Sequence, residues 1–269
     1  MKTINQNIFI ELILNTNAKV LAKNFSLLKT SARIFQTMKK VESDFLSRGA
    51  KCSGWLYLPE DISHPAVVIM AHGMGAIKEF VLPDFAERFC EKGLAVFLFD
   101  YRHFNGSEGE PRQLISPKKQ IEDWLNAIEH IRKNELVDGK RIALWGTSFS
   151  GGHVLVVGAM ASGIKAIVAQ VPFVGLAKTE QITIGYLAKA IFHGLWDALA
   201  GLFGSDHYVP LVGNPDEIAV LNTPECMEGY MALVPEDTKD WSNACPARIF
   251  LTLPFYRPSR YASKIKAPV

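Results

Sequence analysis

Residues 143–153 read ALWGTSFSGGH, a short apolar run followed by two serines set between glycines. The run from Arg141 to Trp145 suits a strand, and the run after Gly151 suits a helix. Residues 146–151 then form the sharp turn between them. A serine in such a turn has a strained backbone and an exposed hydroxyl, and the residues two before and two after it must be small. Centred on Ser148, those neighbours are Gly146 and Ser150, which gives G-x-S-x-S in place of G-x-S-x-G. Centred on Ser150, they are Ser148 and Gly152, and the turn starts too late after the strand. Ser148 is the better candidate nucleophile.

Outward from this turn the chain repeats one pattern. AVVIMAHG (66–73) and LAVFLFD (94–100) are continuous apolar runs, as expected of inner strands buried on both faces. SGWLYLPED (53–61) alternates and breaks at Pro59, a strand and a turn. LPDFAERFCEKG (82–93) reads as a helix closed by Gly93. Ser116 can cap a helix with Pro117 in its first position, and Ile121, Trp124, Leu125, Ile128 and Ile131 fall on one helical face. IKAIVAQVPF (164–173) is a further strand. Strand and helix alternating in this order predict an α/β fold, a mostly parallel sheet of about six strands with helices on both faces. Residues 175–262 break the pattern with one or two amphipathic helices and Pro-rich loops, the signature of a cap inserted over the carboxyl edge of the sheet. Strand-like sequence returns at KIKAPV (264–269).

The 269 residues are 48% hydrophobic and 21% charged, enough for a large buried core. The net charge of +2 is uneven: residues 1–40 carry seven Lys/Arg and one acid, and the rest carries 22 basic against 26 acidic residues. The main body, residues 41–269, therefore lacks the basic stripe that nucleic acid requires. Residues 1–40 form a basic extension in which Leu21, Phe25, Leu28, Ala32 and Phe35 share a helical rhythm. That helix could rest weakly on a membrane surface, pack on the domain, or be a poorly ordered extension. No run of 18 apolar residues spans a membrane. Cys52, Cys90, Cys226 and Cys245 stand outside any CxxC or zinc-finger spacing, so they read as single thiols of a cytoplasmic protein. No metal and no cofactor is implied.

An acyl-transfer serine needs donors for the developing oxyanion. The N–H of Phe149, directly after the serine, is one, and the N–H of Met74, in the glycine-bearing AHGMG loop, is the expected second. His72 in that loop suits a hydrogen-bonding role better than that of the base. Taken together, VIMAHGMGAIKE, FDYRHFNGSEGEPRQ, SPKKQIEDWLNAI, ALWGTSFSGGH, AQVPFV and LTLPFYRPSR resemble the α/β-hydrolase superfamily. Within it they resemble the bacterial serine hydrolases grouped with Xaa-Pro dipeptidyl-peptidase-like and polyketide-transferase-like proteins. The resemblance runs from about residue 41 to residue 269. It implies an α/β-hydrolase fold, a nucleophile at Ser148, oxyanion amides at Met74 and Phe149, and hydrolysis of an ester, thioester or amide. One departure is His103, where a glycine is usual, and it bears on the loop after Asp100.

The superfamily orders its triad as Ser, acid, His, with the acid after the strand that follows the cap and the His after the last strand. Here that first strand begins at residues 267–269, so the acid, the His and the last strand are expected beyond residue 269. Within the chain, His153 should point away from Ser148 along its helix, and Asp206-His207 reads as a solvated pair in the cap. The apolar cap residues Ile184, Leu187, Ile191, Leu195, Trp196, Leu199 and Phe203 suit a small-molecule acyl substrate. Three functions fit: a serine hydrolase, an acyltransferase on the same scaffold, and a binding protein without a working triad. Oligomeric state is not legible.

Overall fold

The computed structural model of the chain describes residues 38–176, 183–236, 238–239 and 241–269. The amphipathic rhythm from Leu21 to Phe35 lies outside the described residues.

The chain enters the sheet through β1 (Met38–Glu42), makes a small hairpin from β2 (Phe45–Ser47) and β3 (Ala50–Cys52), and returns as β4 (Gly54–Pro59). Next come β5 (Val67–Ala71), α1 (Leu82–Cys90), β6 (Ala95–Phe99) and α2 (Pro117–Arg132). Then β7 (Ile142–Thr147), α3 (Ser148–Met160) and β8 (Ile164–Gln170) complete the wound part. The sheet order is β1-β4-β6-β5-β7-β8. β4 pairs antiparallel with both β1 and β6, and the remaining neighbours are parallel. The six strands agree with the expected mostly parallel sheet. β1 and the hairpin were not foreseen, and β1 draws three residues of the supposed extension into the sheet. This edge strand carries no alternating apolar signal, since the adjacent Lys39 and Lys40 are both exposed, and Lys40 Nζ sits 3.1 Å from the Trp55 ring centroid.

The buried runs are buried on both faces. Phe97 and Phe99 of β6 and Ile69 of β5 join the core on one side, with Trp124 and Ile128 of α2 and Val154 of α3. Val96, Leu98, Val68 and Met70 pack on the other side against Leu82, Ala86 and Cys90 of α1. Each such side chain contributes roughly 1.5–3 kcal/mol by leaving water. Ser116 caps α2 by accepting from Lys119 N, as its sequence predicts, and α1 is followed by Gly93 at φ +82°.

Beyond β8 lie α4 (Ile184–Ala200), a two-residue ladder between Tyr208–Val209 and Cys245–Pro246, and α5 (Cys226–Met231). A short helix, α6 (Ile249–Thr252), and helical turns to Lys264 follow. This segment bonds to loops at the carboxyl ends of β5 and β6: Trp241 Nε1 donates to Gly75 O at 2.8 Å, and Gln113 Nε2 donates to Ser242 O at 2.7 Å. At the chain's end, Ile167 N of β8 donates to Pro268 O at 2.9 Å, so the KIKAPV segment approaches the outer edge of the sheet. No described helix is long and apolar enough to cross a membrane.

Candidate active site

Ser148 is the first residue of α3, directly after β7, and its φ is +54°. A side chain in the left-handed region is strained, and a strand-to-helix elbow is a place where such strain is stored. The glycine two residues earlier makes the turn possible. A Cβ on Gly146 would lie 2.4 Å from Ser150 O and 2.6 Å from Ser150 C, both backbone atoms. The position two residues later is Ser150, fully buried, where G-x-S-x-G would have glycine. Its hydroxyl is accommodated because Oγ lies 3.0 Å from Tyr101 Oη, which also accepts from Trp124 Nε1 at 3.0 Å.

The loop after β5 passes directly against the serine. A Cβ on Gly73 would touch Ser148 Cβ at 3.4 Å and Oγ at 3.8 Å. Met74 comes next and is buried. Tyr230 Oη donates to Met74 O at 2.8 Å, and Trp241 holds the Gly75 carbonyl, so two cap residues clamp this loop from above. From below, the buried Asp100 carboxylate accepts from Lys78 N and Lys78 Nζ, both at 2.7 Å, and from Asn105 Nδ2 at 3.0 Å. Phe149 lies in the first turn of α3, where leading N–H groups have no intrahelical partner. Its ring packs against Phe173 and Tyr256, and Phe173 N donates to Ser148 O at 2.8 Å. The Ser148–Phe149 turn and the Gly73–Met74 loop thus lie side by side at the carboxyl ends of β7 and β5.

Among the described residues no histidine hydrogen-bonds Ser148. His72 is buried, and Nδ1 donates to Gly73 O at 3.1 Å; burial pulls its imidazole down to about 3, so it stays neutral. It steadies the loop. His153 bonds Tyr256 Oη through Nδ1 at 2.5 Å and Gln120 Oε1 through Nε2 at 3.2 Å, and burial pulls it down to about 3. His193 and His207 stack on each other with Nδ1···Nε2 at 2.8 Å. Asp206 meets Arg248 Nη2 at 2.5 Å instead of its neighbour His207, so the two are not an acid–base dyad. His103 bonds Pro111 O, His130 bonds Ser43, and His64 bonds Ser63.

His103 adopts φ +75°, which explains the usual glycine there. The loop keeps its shape with a side chain present because His103 N donates to Glu108 O and Gln113 N donates to His103 O. Most of the cap's large apolar residues are exposed. Ile191, Leu195, Trp196, Leu199 and Phe203 are half to mostly exposed, and α4 turns Ala190, Gly194 and Asp197 inward. Periodicity finds a stripe without saying which side faces the protein. Next to Ser148 the buried Phe149 ring packs against the partly exposed Phe173 and Tyr256, of which Tyr256 comes from the LTLPFYRPSR stretch. A quoted motif signalled it, but no role was assigned to its tyrosine. An open cleft of about 780 Å³ lined by His64, Arg132, Lys140 and Lys165 lies at the opposite, amino-terminal edge of the parallel strands.

The profile of the family described as serine aminopeptidase, S33, matches residues 62–222. The quorum-quenching protein AidA of Acinetobacter baumannii is 37% identical over 231 residues, 85% of this chain and 76% of AidA. Polyketide transferase af380 of Aspergillus fumigatus is 35% identical over 162 residues, 60% of this chain and 53% of its own. The crystal structure of the α/β-hydrolase GrgF from Penicillium sp. sh18 superposes with a TM-score of 0.70 at 26% identity, covering 86% of this chain and 77% of GrgF.

Proposed function

Because the chain belongs to the serine aminopeptidase S33 family and is a hydrolase-type enzyme with an α/β-hydrolase fold, we propose that its nucleophile is the Ser148 hydroxyl. The substrate is an ester, thioester or amide with a hydrophobic acyl group. Ser148 Oγ attacks the acyl carbon while its proton passes to a base. The carbonyl oxygen becomes an oxyanion between the Phe149 and Met74 amides. Collapse of that intermediate expels the alcohol, thiol or amine and leaves an acyl-Ser148 ester, which water cleaves by the same route. The observation that carries the reading is the backbone of Ser148, φ +54° at a β7–α3 junction with Gly73 against its hydroxyl. The partly exposed rings of Phe173 and Tyr256, stacked at 6.0 Å, favour an apolar acyl chain.

The base and its acid are assigned to sequence following Val269. The approach of Pro268 to β8 favours this, since a strand continuing there would end beside Ser148. Losing the base of a triad costs on the order of 10⁶ in rate, so residues 1–269 alone should label slowly with a fluorophosphonate. A chain carried on through the next roughly fifty residues, enough for two strands and two helices, should label rapidly and cleave a short acyl ester. Ser148→Ala should remove both activities. Rapid labelling of the extended chain that survives Ser148→Ala would discard Ser148 as nucleophile.

A second reading, acyl transfer to an acceptor other than water, is favoured by the relative named polyketide transferase. Product analysis with and without an added alcohol or amine separates the two.

A further inference from the structure

Helix α4 is amphipathic in the reverse of the usual sense. A surface helix turns its large apolar residues inward. In α4 the inward positions are small or polar. Ala190 and Gly194 are buried, and a Cβ on Gly194 would meet Leu251 at 2.9 Å. Asp197 is buried on Arg248, accepting from its N and Nε, both at 2.7 Å. This inner face fixes the orientation of the helix, so the outer face is not a packing accident. Outward stand Ile191, Phe192, Leu195, Trp196, Leu199 and, just beyond the helix, Phe203, each between 50% and 87% exposed. Phe192 and Trp196 stack on each other at 6.4 Å.

With Ile184 and Leu202 this stripe presents on the order of 1,000 Å² of apolar surface, against roughly 300–600 Å² for the largest patch of an ordinary monomer. A stable interface takes about 800 Å² from each partner. We propose that the outer face of α4 is the dimer interface of this protein, packed against α4 of a second copy about a twofold axis.

Three observations select a second copy. The area from one stripe matches one side of a stable interface. The stripe is self-complementary: bulky rings at its centre are flanked on both sides by Leu and Ile, which an antiparallel pair of like helices can interdigitate. Charge argues against a lipid surface, because interfacial helices flank the apolar face with several cations. Of the 17 residues of α4, Lys189 is the one exposed charge.

Sedimentation velocity on residues 1–269 tests this. At about 100 µM the protein should run at twice its 29.9 kDa mass. Leu195→Glu should weaken self-association at least 100-fold and return the monomer, with unchanged far-UV circular dichroism. Leu199→Glu serves as a second disrupting variant should the first not fold, and Leu195→Met should remain dimeric. A wild-type monomer at that concentration overturns the proposal. If that monomer co-sediments with neutral phosphatidylcholine vesicles, the face belongs to lipid. A dimer that persists in both folded glutamate variants places the interface elsewhere and equally overturns it.

Discussion

Gly146→Ala probes the turn on which the active-site reading depends. The added methyl would lie 2.4 Å from Ser150 O, 2.6 Å from Ser150 C and 2.9 Å from Gly151 N. All three are backbone atoms in the first turn of α3, so no rotamer change relieves the overlap. Either α3 moves away from β7 or the turn opens. Overpacking of this kind costs about 1–3 kcal/mol, and an immovable backbone puts this site at the upper end. For a domain of this size that is a fall in melting temperature of roughly 6–12 °C. Gly185→Ala is the matched control. It adds the same methyl to the exposed first turn of α4, where Thr183 Oγ1 at 3.9 Å is the only neighbour among the described residues. On the described surroundings the change should be neutral or stabilising by up to about 1 kcal/mol, since alanine loses less backbone entropy in a helix. Differential scanning calorimetry of the two variants beside wild type gives the answer. A Gly146→Ala protein melting within a degree of wild type would mean that the turn is not sterically closed, and the assignment of Ser148 to a strained elbow would go with it.

Ser150→Gly restores the familiar G-x-S-x-G pattern yet should destabilise by about 1–2 kcal/mol in urea titration, because a buried hydroxyl pair with Tyr101 is lost and a glycine enters a helix. An unchanged midpoint would show that the pair contributes nothing. Lys78→Met leaves the Asp100 carboxylate buried without its cation and should cost about 3–5 kcal/mol, whereas Lys78→Met combined with Asp100→Leu should recover part of that loss. If the double variant is no more stable than the single one, the pair is not coupled. His153 is held neutral by burial, with its folded value near 3 against an ordinary 6.5. The unfolded chain therefore binds a proton that the folded one refuses. The stability that this histidine contributes is complete above pH 6.5 and drains away as pH falls from 6.5 toward 3, at up to about 1.4 kcal/mol per pH unit. His153→Gln should flatten the stability–pH curve in that window, and equal slopes for the two proteins would contradict it.

What was readable from sequence was local. The elbow at Ser148 could be read because its requirements fall within five residues: a missing Cβ at Gly146, a tolerated small side chain at Ser150, an apolar run before and a helix after. Helix α2 could be read from one cap and one period, and the inner strands from unbroken apolar runs that only a two-sided burial satisfies. Everything that depended on orientation between distant segments was decided by the tertiary structure. The stripe on α4 was visible as a period, but Gly194 against Leu251 and Asp197 against Arg248 turned it outward. Ser150 was a departure from a motif until Tyr101, 49 residues away, supplied its partner. Met74 was a loop residue until Tyr230, 156 residues away, took its carbonyl. Asp206 and His207 were adjacent in the chain and looked like a pair; Arg248 and His193 draw them apart, because a salt bridge and a ring stack each hold a side chain more firmly than sequence proximity does.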